Sequence, residues 1–405
     1  MPEYKGIDYL RNKLSAKKPR IDKRYEFYEM KHKAEDMEIS TPPQLKWRMM
    51  SALGWCEKAV DSLSDRLVFG GFKDDAYNLT EIYQLNNQDV LVDSAILGAL
   101  ICSCSFIYIT QGETGEPLMR TIDAGMATGI IDPTTNMLKE GYAILEIDDK
   151  GKPLVEAHLL PHQTDVYEDG KFVRSFRHPA PHPLLVPVIY KPDAKRPFGH
   201  SRISRACMDY QDSAARTIKR SEISAEFYSY PQKYVLGMDP DAEQMEKWKA
   251  TMSAMLRIDK DDDGDKPTVG QFQQQSMTPH LDQIKVFAGM FAGETGLTLD
   301  DLGFPSQNPS SSEAIKASHE SLRLTARKAQ RDFGVGFLNA GYLAACLRDG
   351  IDYKRNQLYE TTVRWMPIFE PDLSSLAGVG DAVQKIQTSF PGYFDEEKLN
   401  ELTGI

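Results

Sequence analysis

Cationic excess is the first thing this sequence lacks. Its 48 Lys and Arg stand against 59 Asp and Glu, a formal net charge of −11 over 405 residues. Free-standing nucleic-acid binders usually carry a basic surplus, so tight sequence-specific DNA binding is disfavoured. Membrane-length apolar runs are missing too. The longest, residues 94–109, SAILGALICSCSFIYI, falls short of the ~20 residues a spanning helix needs. Its start is helix-like and its end strand-like, so it reads as a buried helix entering a core strand. The N-terminal MPEYKGIDYLRNK has no apolar centre and does not read as a secretory leader. Cysteines number only five, Cys56, Cys102, Cys104, Cys207 and Cys346. The count is odd and the spacing fits no disulfide framework, so buried free thiols in a reducing cytoplasm are expected. No HExxH, Walker A loop, nucleophile elbow, CxxC or internal repeat occurs, and no catalytic residue or cofactor is predicted.

One metal lookalike stands out. In DKDDDGD, residues 259–265, Asp259, Asp261, Asp263 and Gly264 match positions 1, 3, 5 and 6 of an EF-hand loop. The twelfth position, which should be a bidentate Glu, is Gly270, and Pro267 falls at position 9. Without the bidentate ligand an acidic turn is the better reading than calcium, so no metal is predicted. His158 and His162 are four apart but fall on a strand and turn, poorly placed to share a metal.

Length exceeds the usual single domain, and ordinary hydrophobic content can bury a large core. Residues 1–36 are polar, with Lys17, Lys18, Arg20, Lys23 and Arg24 clustered around Pro19. They read as a solvated basic arm, or one that grips a neighbour. Helices are predicted over 43–69, closed by Gly70 and Gly71, and over 87–100. An antiparallel meander is predicted over 105–190, with its sharpest hairpin at Asp169–Gly170. Residues 201–230 read as a long helix with a narrow stripe of Ile203, Cys207, Tyr210, Ala214 and Ile218, stopped by Pro231. Residues 231–275 read as strand, helix (241–256), acidic turn and strand.

Residues 278–333 are the most informative stretch. A helix opens with Thr278 as N-cap and Pro279 at its first position. Leu281, Ile284, Phe287, Ala288 and Phe291 recur at helical spacing, and Gly293 and Gly296 close it. GLTLDDLGFPSQNPSSS follows, a composition that resists helix and sheet. Ser310 and Glu313 form a capping box for a long helix. Lys316, Arg323, Arg327 and Arg331 fall along one side of it. They read either as a solvated face, with Glu320 and Asp332 as ion-pair partners, or as a ring of positive charge if many copies surround an axis.

The order GLTLDDLGF, SSEAIKASHESL and a basic helix resembles the portal proteins of long-tailed double-stranded DNA bacteriophages. LLVPVIYKPDAKRPFGHSRI, with Gly199, Ser201 and Ile203, resembles that family's strand into a stem helix. AEFYSYPQKYVLG and VRWMPIFEPDLSSLAGVGDAVQKI follow in the same order, so the resemblance spans most of 40–405. It implies an α+β, mainly helical portal fold with a basic arm (1–36) and a mixed α/β wing (37–200). A stem helix (201–230), a small α/β clip (231–277) and a second stem helix (278–295) follow. A tunnel loop (296–311), a long helix with the wing return strand (312–371) and a short helical crown (372–405) complete it.

The implied function is structural, without enzymatic activity. Such a subunit forms a ring, dodecameric in the family, at one capsid vertex of the virion, assembled in the host cytoplasm, and serves genome packaging and ejection. Partners implied are further copies of itself, the terminase large subunit, a head-completion or adaptor protein, and the major capsid and scaffolding proteins. Double-stranded DNA would pass non-specifically, which an acidic wall favours by repelling phosphate. Thr298, Gln307, Asn308, Ser310 and Ser311 would face it from the tunnel loop, with Lys316, Arg323, Arg327 and Arg331 as channel-side cations. Alternatives are another virion or head-completion protein, or a metal-binding enzyme centred on 259–265.

Overall fold

The computed structural model describes residues 4–34, 52–229, 233–236, 268–271, 276–305, 317–369, 373–393 and 399. The acidic loop 259–265 and the helix expected over 241–256 lie outside them. The chain divides into two compact units, one of residues 1–32, 54–208 and 293–405, the other of 33–53 and 209–292.

In the first unit the chain opens with α1 (Ile7–Tyr28). The expected solvated arm is therefore a docked helix, burying Leu10, Leu14, Ile21 and Phe27. Those four apolar positions are too widely spaced among cations to stand out in the sequence. The helix foreseen over 43–69 is α2 (Trp55–Ser64) within the described residues. Gly70 and Gly71 do not stop it. They lie inside strand β1 (Phe69–Lys73), whose register shifts between Phe69 and Phe72. Two residues three apart in a regular strand point to opposite faces. The bulge, with Gly71 at φ 94°, lets both rings enter the core. Helices α3 (Leu79–Leu85) and α4 (Gln88–Cys102) follow. One residue later β2 (Cys104–Gln111) begins, as the helix-into-strand reading required.

Two antiparallel sheets follow. One, ordered β3-β2-β9, joins β3 (Pro117–Ile122) and β9 (Leu185–Ile189) to β2. The other is a five-stranded meander of β4 (Ala127–Ile131), β5 (Leu138–Ile147), β6 (Pro153–Leu160), β7 (Gln163–Glu168) and β8 (Lys171–Arg177). The β7–β8 hairpin turns at Asp169–Gly170, both at positive φ. Every residue of the edge strand β8 is exposed. All five cysteines are buried free thiols.

Long helix α7 (Glu320–Asp349) crosses the β3-β2-β9 sheet and runs sixteen residues beyond Phe333, where the sequence reading ended. Gly336 permits that approach: a Cβ there would lie 3.2 Å from the Pro187 carbonyl oxygen and the Val188 Cα. Phe69, Phe72, Tyr83, Phe337 and Trp365 form an aromatic cluster, and the Tyr83 hydroxyl donates to the Phe337 carbonyl at 2.7 Å. Strand β12 (Thr362–Trp365) pairs antiparallel with β1. Helix α8 (Leu373–Ser389) follows.

The second unit holds most of α5 (Arg205–Ser229), the β10–β11 pair (Lys233–Leu236, Thr268–Gln271) and most of α6 (Thr278–Thr295). On α5, Cys207, Ala214 and Ile223 are buried, with Gln211 and Thr217 among them. Of the predicted stripe, Ile203, Cys207 and Ala214 are buried, whereas Tyr210 and Ile218 are only half-buried.

Candidate functional site

Among the described residues, Thr298 and the Gly199–Ile203 corner lie at the stem of one loop, between α6 and α7. Helix α6 starts slightly earlier than expected. Leu281 N–H bonds the Met277 carbonyl, and Thr278 N–H bonds the Ser276 hydroxyl, so capping comes from 276–277 rather than from Thr278. Gly293 lies within the helix, and Gly296, at φ 70°, ends it. Only the Ile284, Ala288, Phe291, Ala292 and Thr295 face is buried. Leu281, Val286 and Met290 are 56%, 54% and 49% exposed.

The end of α6 is fixed by Arg202, which is 7% exposed. Its guanidinium donates to the Ala59 carbonyl at 3.2 Å and to the Thr295 carbonyl. A last-turn carbonyl of α6, which has no partner within its own helix, is thereby satisfied by a cation. The Ser204 hydroxyl donates to Glu294 at 2.8 Å from the same corner. The corner needs Gly199. It sits at φ 72°, and a Cβ would overlap the Tyr190 carbonyl and approach Ile189 Cγ2 to 2.8 Å. Ser201 donates to the Ile101 carbonyl, and Ile203 is buried. So the Gly-x-Ser-x-Ile pattern is a folded corner, with the unforeseen Arg202 at its centre.

Residues 296–305 are not an irregular loop. Thr298 N–H and its hydroxyl both donate to Asp301 at 2.8 Å, and Asp301 N–H returns to the Thr298 hydroxyl at 3.2 Å. A 3-10 turn (Asp300–Leu302) follows, with Leu297 and Leu302 buried. The Thr298 side chain is therefore spent on the turn rather than free to face a ligand, because a hydroxyl near a following carboxylate closes an Asx-like box. Across the loop, His319 Nδ1 lies 3.8 Å from Asp301, and a Cβ on Gly296 would lie 2.7 Å from the Ser321 hydroxyl. Both ends of the segment 306–316 are thus anchored side by side. Gln307, Asn308, Ser310, Ser311 and Lys316, and the Ser310–Glu313 box, lie outside the described residues.

Of the basic stripe, Arg323 is held by Glu320 through two bonds of 2.6 Å, which lower the Glu320 carboxyl pKa. Arg327 and Arg331 are exposed. Both line an open groove of about 710 Å³ between α7 and β12, whose floor includes Leu324, Val335 and Trp365. Asp332 is half-buried and is attracted by Arg331 of the stripe as well as by Lys328. Burial raises its pKa, against Lys328 and the Lys191 backbone.

The comparisons now decide the family. The phage portal protein family, SPP1 Gp6-like, matches residues 7–377. The chain belongs to that family. This portal protein is a structural component of the phage virion, and the family match spans all the elements described here up to the first turn of α8. It is 25% identical over 397 residues to the portal protein of Mycobacterium phage L5, covering 92% of this chain and 79% of that one. It is 26% identical over 403 residues to the portal protein of Mycobacterium phage D29, covering 93% and 81%. Among solved structures, a chain from the neck of an empty gene transfer agent particle, computed with C6 symmetry, shares the fold. The TM-score is 0.50 at 11% identity, over 91% of this chain and 95% of that one. The α+β portal architecture expected from the sequence is the one observed.

Two further features of the portal subunit had not been picked out as functional in sequence. Glu140 on β5 accepts the Lys5 and Gly6 N–H groups at 2.9 and 2.8 Å and contacts His158 Nε2 at 2.8 Å. Glu156 on β6 takes Arg11 through two bonds of 3.0 and 2.6 Å and the Tyr142 hydroxyl. These buried carboxylates clamp α1 to the meander. A strand-period reading could have found them, since Glu140 and Tyr142, like Glu156 and His158, are two apart and share a face.

Proposed function

We propose that this portal subunit closes into a homo-oligomeric, dodecameric ring at one capsid vertex, whose axial channel passes the genome in packaging and ejection. The observation that carries this reading is α6. Val286 and Met290, four residues apart on one helix side, leave roughly half of each side chain in water, away from the buried Ile284, Ala288 and Phe291 face. Neighbouring copies would cover that row through head-to-tail contacts, which close into a ring. The solved neck that shares the fold was computed with C6 symmetry, which a dodecamer contains.

Within that ring, residues 37–200 with 312–371 serve as wing, 201–230 and 278–295 as stem, 231–277 as clip and 372–405 as crown. The segment 296–311 is the tunnel loop, raised on the anchored stem described above. Gln307, Asn308, Ser310 and Ser311 touch passing DNA, short polar groups that form no fixed fork on phosphate or base. Lys316, Arg327 and Arg331 add positive charge near it, and Arg323 less, being paired. The ring docks the terminase large subunit and a head-completion or adaptor protein, amid major capsid and scaffolding proteins.

A deletion of Ser306–Pro309 tests the loop, because the stem bonds lie outside it. Rings should form normally, while DNA packaged per particle in an infection assay falls at least tenfold. Normal packaging would refute the tunnel-loop assignment.

A further inference from the structure

One face of α1 collects cations that no carboxylate on the helix answers. Lys13, Lys17, Arg20 and Arg24 are spaced four, three and four residues apart, so all lie on one helix side. No Asp or Glu stands three or four residues from any of them. By contrast Lys18, off this row, pairs with Asp22 at 3.2 Å.

Among the described residues the fold does not supply the missing charge. Lys13 and Lys17 Nζ both sit over the Phe198 ring, at 5.0 and 4.4 Å. Lys13 also donates to the Gly129 carbonyl. Arg24 has a buried Nε without a partner, and Arg20 and Arg196 repel it. The nearby acid Asp193 is occupied by His200 at 2.6 Å and by the Lys195 and Arg196 N–H groups. Burial, with repulsion from Lys17 and Lys5, lowers the Lys13 pKa to about 8, and burial lowers that of Lys17 and Arg24. A protein with a net charge of −11 thus gathers five cations on one side of α1, where Lys13 and Arg24 are each repelled by cationic neighbours.

We propose that this α1 face, with Arg196 beside it, is a second, external contact for the phosphate backbone of duplex DNA. The row runs about 16 Å at ~1.5 Å per residue. A duplex strand carries one phosphate per ~3.4 Å of axis, so four to five phosphates span that length. An extended cationic row, with Arg20 exposed, Lys13, Lys17 and Arg24 half-buried and a single aromatic beneath it, reads charge and no sequence, as backbone contacts do. An acidic peptide would be expected to use an apolar floor as well, which this row does not offer. The site lies on α1, β2 and the 191–200 segment, apart from the tunnel loop, and goes beyond the channel reading.

A covalently closed circular duplex cannot thread a channel, so its binding reports outer contacts alone. The full-length protein and its Lys13→Gln/Lys17→Gln/Arg24→Gln variant are titrated with such a circle between 50 and 300 mM salt. The variant should bind at least tenfold more weakly, with a salt slope lower by about 2–3, at about 0.9 for each phosphate no longer neutralised. Its melting temperature should be unchanged or higher, since mutual repulsion is relieved, which separates weakened DNA binding from misfolding. An Arg327→Gln/Arg331→Gln variant should bind the circle like wild type. Equal affinity and slope for the α1 variant would overturn the proposal. So would polyglutamate displacing the circle as well as linear DNA does. If rings do not form, the circle can also reach Arg327 and Arg331, and the Arg327→Gln/Arg331→Gln variant then separates their contribution from that of the α1 face.

Discussion

At the scale of single residues, buried polar groups rather than apolar ones hold the informative positions. Arg202 and Gly199 sit three residues apart and do opposite things. One supplies charge to a helix end, the other supplies the space a side chain would fill. Replacing Gly199 by Ala forces a Cβ against the Tyr190 backbone at a φ that L-residues rarely adopt. The expected loss is about 2–4 kcal/mol, read as a clear drop in denaturation midpoint. Gly151 has a similar φ of 78° but nothing within 4 Å. Gly151→Ala should therefore cost only about 1 kcal/mol, from the backbone alone. Equal midpoints for the two variants would contradict the corner described here.

Among elements, α1 is the one whose attachment depends on charge. Glu156 is 5% exposed. Burial pushes its pKa up, but bonds from Arg11 and Tyr142 outweigh that and leave it below the usual 4.5. A carboxyl with a depressed folded pKa stabilises fully above its unfolded value. That contribution is lost as pH falls through the folded value. Hydrogen exchange of α1 amides, relative to those of α7, should therefore quicken once pH drops below about 4.5. Arg11→Gln leaves a buried carboxylate without its cation, at a cost of about 3 kcal/mol. The variant should show faster α1 exchange already at neutral pH, and its further response to acid should be smaller. If α1 exchange in wild type is flat from neutral pH down to about 3, the clamp contributes nothing.

For the whole molecule, the exposed row on α6 is the feature a lone subunit explains least. Apolar side chains at that exposure are ordinary when scattered, but Val286 and Met290 are neighbours on one side of the same helix. Val286→Ser/Met290→Ser should shift purified protein from a closed ring toward monomers, measured by native mass spectrometry at micromolar concentration. Circular dichroism should change little, since neither residue is buried in the subunit. A wild type that is monomeric under those conditions would refute ring closure. Full rings from the double variant would move the interface elsewhere.

What the sequence determined by itself was the order of elements and the family. Periodicity marks α4 running into β2, the meander, α5 and α6 because each buries one face. A face is legible wherever apolar residues recur at the element's own period. The colinear motifs carried the portal fold for the same reason, being local. Tertiary structure decided the rest. The basic N-terminal segment is a docked helix only because Glu140 and Glu156, more than a hundred residues away, meet it. Phe69-Gly-Gly-Phe is a bulged strand rather than a helix end because β12 pairs with it. Helix α7 continues to Asp349 because Pro187, Val188 and Leu79 pack against its glycines. Thr298 belongs to a turn because Asp301 takes its hydroxyl. Each outcome rests on a partner distant in sequence or on a local bond that competes with the regular ladder. Neither leaves a periodic trace along the chain.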